Sequence, residues 1–348
     1  MRRVLGLIIA PLLGACAVGA EPPADRFTAI GPVEMVGDWA DGTNISAAVV
    51  LGDRVVIGSD EIPSLQLGSW LVSGNRIRVT KTGEVPIADP GTEPDVEALA
   101  VAGDHLYAAG SHSSTRARAD SAERRYVTNR ERLLERDIEP HPERDAVYQL
   151  RLAGGQPSAT GITRATLRDA IQAMPALRPF VALASKENGL DIEGLAPGGR
   201  GLLFGLRGPV LRHGFAAVLS ASFEDLGHGE LLMVPLDGRG VRDLVRVADG
   251  YLILAGPVGD GDDSHRIYAW NGVDCVPGAG RPPARLSLLG DVPAAPGGKA
   301  EALVVVGESD TSFDVVIFYD SLPLGGPRRF RVTRASPLAS PATRLCGG

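Results

Sequence analysis

The sequence predicts an all-β fold, a β-propeller of five blades with six as the alternative, carrying one short helical insert. Three observations predict it. Gly 44 and Pro 26 punctuate the 348 residues densely, a composition that suits many short strands joined by turns better than long helices. A hairpin of two apolar strands around a Gly-containing turn recurs along the chain. Its strands are apolar at nearly every position, as expected of sheets buried on both faces, such as stacked blades.

The repeat begins at Asn44-Ile45-Ser46-Ala47-Ala48-Val49-Val50, which turns through Gly52-Asp53 into Val55-Val56-Ile57-Gly58-Ser59-Asp60. It returns at Asp95-Val96-Glu97-Ala98-Leu99, at Asp191-Ile192-Glu193-Gly194-Leu195, at Gly240-Val241-Arg242-Asp243-Leu244 and at Lys299-Ala300-Glu301-Ala302-Leu303. The starts at 45, 96, 192, 241 and 300 are separated by 51, 96, 49 and 59 residues. A four-stranded blade takes about 40–50 residues, and a charged insert at 114–145 accounts for the long interval. The propeller is thus expected over 27–335, followed by a tail at 336–348. The strand-like segment Phe27–Val36 precedes the first hairpin and would complete the last blade, leaving no open sheet edge.

Within the insert, Ser121–Ile138 reads as a helix with Tyr126, Val127, Leu133, Leu134 and Ile138 on one stripe. It is expected as a lid over one face or as a helix packed on the flank of the second blade. Arg164–Met174, stopped by Pro175, reads as a second helix. Trp39, Trp70 and Trp270 read as packing residues.

The first fifteen residues read as an export signal: Met1-Arg2-Arg3 followed by an apolar run from Val4 to Leu13, too short to span a bilayer, which takes roughly 20 apolar residues. Leu13-Gly14-Ala15-Cys16 resembles the bacterial lipobox, in which the Cys is lipidated and starts the mature chain. An ordinary signal cut near Ala15 or Ala20 is the alternative. With Ala17 after Cys16, the resemblance implies an outer-membrane lipoprotein facing the periplasm, with 16–26 as anchor and linker. The membrane would then be a partner through the N-terminal lipid. Loss of Arg2 and Arg3 would take the formal charge from −7 to −9, a balance that argues against nucleic acid as a partner. The other cysteines, Cys275 and Cys346, lie in no C-x-x-C motif, and in an oxidising compartment they are expected to form a disulfide.

Hairpin geometry puts the start of each inner strand beside the end of its partner, so one face, called upper here, collects the polar residues. These are Asn44 and Asp60; Asp95, Glu97 and His112; Asp191, Glu193 and Arg207; Arg242 and Asp243; and Lys299, Glu301 and Asp320. The expected ligand-binding set is Glu97, Asp191, Glu193, Arg207, Arg242, Glu301 and Asp320. A ring of carboxylates relieves its repulsion by pairing with Arg or Lys, by holding protons or by binding a divalent cation. Capping of strand-end amides and plain solvation account for such rims in many propellers. The cofactor that the pattern would accommodate is Ca²⁺ or Mg²⁺. The acidic loop Gly259–Ser264 reads as a solvated turn, since no Glu follows at EF-hand spacing. No G-x-S-x-G, P-loop or H-E-x-x-H motif occurs.

Gly189-Leu190-Asp191-Ile192-Glu193-Gly194-Leu195-Ala196, Gly205-Leu206-Arg207-Gly208-Pro209, Gly240-Val241-Arg242-Asp243-Leu244, Ile253-Leu254-Ala255-Gly256-Pro257 and Lys299-Ala300-Glu301-Ala302-Leu303 together resemble a bacterial family, domain of unknown function family 3616. That resemblance, over roughly 40–335, implies a propeller-like fold and no assigned reaction. The family more often has Pro and Gly where this chain has Ala300 and Ala302. More distantly, Ile192–Ala196 is similar to phytase-associated esterase-like and lactonase-type propellers. The latter bind a catalytic metal through a Glu at the start of an inner strand, which implies Glu193, and by repeat Glu97 and Glu301, as metal ligands here, Glu193 and Glu301 holding the cation in the hydrolase reading. Three functions follow as expectations: ligand binding by a cell-envelope propeller, a metal-dependent hydrolase of phosphoesters, esters or lactones with His112 or Asp243 as general base, and a protein-interaction scaffold.

Overall fold

The computed structural model describes residues 26–334 apart from 121, 262 and 279–282, together with 336–338 and 346. The signal, lipobox and Cys16 lie outside the described residues.

The strands form five meandering antiparallel units. The first is Ile45–Leu51, Arg54–Ser59, Ser64–Ser73 and Arg76–Pro86. The second is Val96–Ala102, His105–Gly110 and Val147–Ala153, with short strands Gln156–Pro157 and Thr163–Ala165 beside the last. The third is Asp191–Gly198, Gly201–Val210, Phe215–Ser222 and Asp225–Pro235. The fourth is Gly240–Val247, Gly250–Gly256, Arg266–Trp270 and Leu286–Asp291. The fifth is Lys299–Glu308, Ser312–Asp320 and Arg328–Thr333, with Phe27–Val36 as its outer strand. The first strands of the five units pack against one another in a closed cycle, first to second and on through the fifth back to the first. The fold is therefore all-β and propeller-like, with the inner strands around a central channel.

Closure goes further than expected. The first half of Phe27–Val36 pairs antiparallel with the last strand, Phe27 opposite Val332. Its second half, Val33–Val36, pairs in parallel with Ile77–Thr80 of the first unit. One strand thus joins the fifth unit to the first, and the edges on either side of the seam are paired. Apolar side chains fill the spaces between neighbouring units; Phe313, Val315 and Ile317 of the fifth pack with Leu252, Leu254 and Ile267 of the fourth. Trp39, Trp70 and Trp270 are buried in these layers.

Both helices are shorter than the sequence pattern suggests. The insert folds as Tyr126–Leu134, and Tyr126, Val127, Leu133 and Leu134 are exposed, so the stripe is not what packs the insert onto a blade. The insert is tied down at its base instead, where Ser114–Thr115 pairs with Glu139–Pro140. The second helix begins at Arg168 and ends at Ala173, because Thr163–Ala165 is drawn into the sheet opposite Val147–Gln149.

At the lower face the chain ends are tethered. Arg334 pairs with Asp249 at 3.0 Å, in the turn of the fourth hairpin, and Leu338 donates its amide to the same carboxylate. Cys275 and Cys346 form a disulfide across 5.3 Å between Cα atoms, as expected from the sequence.

Candidate functional site at the upper mouth of the channel

The inner strands share a feature that sequence does not show. Each carries a register irregularity at the same height, and the residue left without a cross-strand partner is Ser46, Glu97, Glu193, Arg242 and Glu301 in turn. A bulge adds one residue to a strand and re-aims it, so five bulges bring one polar residue per strand to a common level of the channel. The residues just after the bulges are small where the strands crowd. A Cβ on Gly194 would lie 2.8 Å from Val241 of the fourth inner strand.

Five of the predicted residues converge into one buried ion-pair network. Arg207 bonds to Asp191 and lies 2.5 Å from Glu193. Arg242 reaches Glu193 at 3.3 Å and both oxygens of Glu301 at 2.6 and 2.7 Å, while donating to the Pro257 carbonyl. Asp191, Glu193 and Arg242 are each 1% exposed. Three carboxylates face two guanidiniums, and burial is the largest influence on Glu193, which it pushes up to about 8 despite both Arg residues. The two guanidiniums are held more firmly protonated by the surrounding carboxylates. Glu193 and Glu301 were expected as metal ligands; here their carboxylates are engaged by Arg207 and Arg242, so the structure brings them to cations already supplied by the chain.

The carboxylates that stay open lie above this floor. A cavity of about 550 Å³ opens at the upper mouth, where the carboxylates of Asp60, Asp95, Glu97, Asp191 and Asp320 meet the basic side chains of Arg116, Arg118, Arg144, Lys186 and Lys299. Carboxylate oxygens of Asp60, Asp95 and Glu97 lie within 4.8 Å of one another. Asp95 accepts from Ser111 and from Arg144, the latter at 3.2 Å. The Glu97 carboxylate has no hydrogen bond or ion pair among the described residues, and the buried Oδ1 of Asp60 has no partner there either. Burial first, and then the neighbouring carboxylates, push Asp60 up to about 8 and Glu97 well above the usual range. Asp95 is raised by burial too, with Arg144 acting against it. Such a trio holds protons or takes up a cation.

Of the basic side chains lining the cavity, one is unengaged among the described residues. Lys299 pairs with Asp260 at 3.2 Å, Arg118 with the same Asp, and Arg116 with Glu187. Lys186 makes no ion pair among the described residues; burial and then the Arg207 charge push its ammonium pKa down. Sequence reasoning missed Lys186, Arg116 and Arg144. A signal existed for the first: the chain has three lysines, at 81, 186 and 299, and two of them line this cavity.

The expected general bases are not at the cavity. His112 is 1% exposed; its Nε2 accepts from the Leu167 amide and its Nδ1 bonds to the Gly110 carbonyl. Burial pushes it down to about 4, so the neutral ring pins the crossing segment that leads to the third unit. Asp243 accepts from the amides of Leu244 and Leu303, both at 2.7 Å, and so stitches the fourth inner strand to the fifth. Burial raises it to about 7.

A family model described as "Protein of unknown function (DUF3616)" matches residues 44–332. The chain belongs to DUF3616. Every bulge residue of the ring falls inside the stretch by which it is a DUF3616 protein. No curated protein matches this DUF3616 chain. Solved structures similar to it include an exo-β-1,3-galactanase from Phanerochaete chrysosporium with β-1,3-galactotriose, at 10% identity and TM-score 0.43, covering 92% of this chain and 67% of that one. A protein from Lactobacillus plantarum aligns at 14% identity and TM-score 0.32, covering 84% and 86%. Trypanosoma rangeli sialidase in complex with the inhibitor DANA aligns at 11% identity and TM-score 0.33, covering 85% and 55%.

Proposed function

We propose that this DUF3616 protein binds a small polar ligand in the upper mouth of its channel. The observation that carries the reading is the convergence of Asp60, Asp95 and Glu97 in a cavity of about 550 Å³, within the size range of ligand pockets. The carboxylate trio would seat the positive centre of the ligand, and Lys186 its negative group. The Asp191–Arg207–Glu193–Arg242–Glu301 network forms a buried floor in which each carboxylate faces a guanidinium of the chain, so the trio rather than the floor is left to meet the ligand.

A second reading is favoured by the trio itself: a divalent cation, Ca²⁺ or Mg²⁺, held by Asp60, Asp95 and Glu97. Such a cation would supply Lewis-acid activation of water for a phosphoester, ester or lactone substrate, and Lys186 and Arg144 would attract the anionic part of that substrate. The test is calorimetric titration of the chelator-treated protein with Ca²⁺ and Mg²⁺, beside a thermal-shift screen of small zwitterions and anions. Saturable binding that Glu97→Gln removes supports the reading. Silence from every cation and compound, or binding indifferent to Glu97→Gln, overturns it.

We also propose export and anchoring through a lipid on Cys16, with the protein in the periplasm at the outer membrane. What supports the orientation is the path of the chain. Arg26 accepts a hydrogen bond from Thr333 at the lower end of the fifth unit, beside the Ser309–Ser312 turn. Ten further residues reach at most about 35 Å, so a lipid at Cys16 would turn the lower face to the membrane and the upper mouth to the periplasm.

A further inference from the structure

The channel has a second cavity, at the lower mouth, whose chemistry is opposite to that of the first. It measures about 330 Å³. Each inner strand gives it a half-buried apolar side chain: Val50, Val101, Pro197, Val245 and Val305. It shares no lining residue with the upper cavity, and the buried ring of Glu193, Arg242 and Glu301 lies between the two along the strands.

Cavities lined by aliphatic side chains hold apolar guests; one of about 150 Å³ takes a benzene ring, so about 330 Å³ has room for roughly a dozen carbon atoms. Arg246 stands at the rim of this pocket. Its guanidinium lies over the Tyr251 ring, at 5.1 Å, and donates to the Tyr251 hydroxyl and the Val247 carbonyl. It makes no ion pair among the described residues. The carboxylate at the same rim, Glu308, is already held by the Ala248 amide at 3.1 Å. The rim thus carries one guanidinium without an ion pair among the described residues, Arg246, and one carboxylate, Glu308, around a ring of aliphatic side chains. Asp243, at the inner end, has its carboxylate engaged by two amides, so it asks nothing of a guest.

We propose that the lower mouth binds a medium-chain fatty acid, with the alkyl chain inside the ring of Val50, Val101, Pro197, Val245 and Val305 and the carboxylate on Arg246. The guest enters from the face at which Arg26 begins the described chain. The site is independent of the upper mouth, since the two have no residue in common.

The experiment is calorimetric titration of the full chain with decanoate below its micelle concentration, and with 1-decanol of the same chain length. Decanoate binds at one site per chain. Val245→Phe and Val305→Phe, which fill the pocket, each weaken it tenfold or more. Should either fail to fold by circular dichroism, Val305→Leu fills less and still weakens binding. Arg246→Gln weakens decanoate severalfold and leaves decanol unchanged, and Glu97→Gln at the upper mouth changes neither. Absence of saturable binding, binding indifferent to the filling variants, an Arg246→Gln effect equal for acid and alcohol, or loss on Glu97→Gln overturns the proposal. Because Glu97→Gln is the variant that probes the upper mouth, failure of one site is read separately from failure of the other.

Discussion

Arg242→Met removes a guanidinium of which 1% is exposed, and with it the partner of two buried carboxylates. Methionine fills much of the same volume, so packing changes little and the electrostatic loss dominates. Glu301 then has no ion pair among the described residues, and Glu193 keeps Arg207 alone. Breaking a buried pair by deleting one partner costs about 3–5 kcal/mol, a large part of the roughly 5–15 kcal/mol by which domains are stable. Urea unfolding at pH 7 reads this as a midpoint lowered by about 1–2 M, for a slope of about 3 kcal/mol per M. Arg78→Met is the control, because its 3.2 Å pair with Glu34 is largely exposed and is worth no more than about 1 kcal/mol. Adding Glu301→Gln to Arg242→Met restores part of the loss, since the stranded charge is then gone. A loss under about 1 kcal/mol for Arg242→Met, equal to the control, would refute the claim that the network is a buried floor of paired charges.

The remaining predictions concern protons, the disulfide and the cation. Asp60, Glu193 and Asp243 have folded pKa values raised to about 8, about 8 and about 7, so the folded chain keeps protons that the unfolded chain has released. The stability they contribute is complete below about pH 4 and is lost as pH rises to about 8. His112 and His265, pushed down to about 4, act oppositely below about 6.5, which leaves pH 6.5–8 as the clean window. Stability measured by urea falls across that window, and Asp60→Asn flattens the fall by on the order of 1 kcal/mol; an identical slope in the variant contradicts this. Cation affinity at the trio rises over the same window, because the cation displaces those protons, and calorimetry in buffers of different ionisation heat detects the release. Cys346→Ser opens a loop of 71 residues and lowers stability by up to about 4 kcal/mol from chain entropy, while alkylation of the unreduced protein labels neither Cys275 nor Cys346.

The units and their order were legible because each inner hairpin is apolar on both faces, a pattern that only a stack of sheets buries. The face that gathers charge was legible from hairpin direction alone. The bulges were not, since one unpaired residue per strand leaves no mark on an apolar run; only the recurrence of polar residues at Ser46, Glu97, Glu193, Arg242 and Glu301 hints at them. Glu193 and Glu301 read as metal ligands from the lactonase-type resemblance and the repeat, whereas the structure turns them onto Arg207 and Arg242. His112 and Asp243 have residue types that suit catalysis, and it is their backbone partners, Leu167 and Leu303, that assign them to packing. Lys186 sits in a short turn before the third inner strand, outside the repeat, and so escaped a search built on the repeat. The apolar stripe of the insert had the right spacing for a packed helix, yet no blade covers it.

Manganese soaked into crystals of the chain and located by its anomalous scattering tests most directly the claim that the open, cation-accepting carboxylates are Asp60, Asp95 and Glu97 and not Glu193 and Glu301. The account predicts one strong peak in the upper mouth, within coordination distance of Asp60, Asp95 and Glu97, absent from Glu97→Gln crystals. A peak on Glu193 and Glu301 with Arg242 displaced, or an upper mouth that takes up no metal, would contradict it.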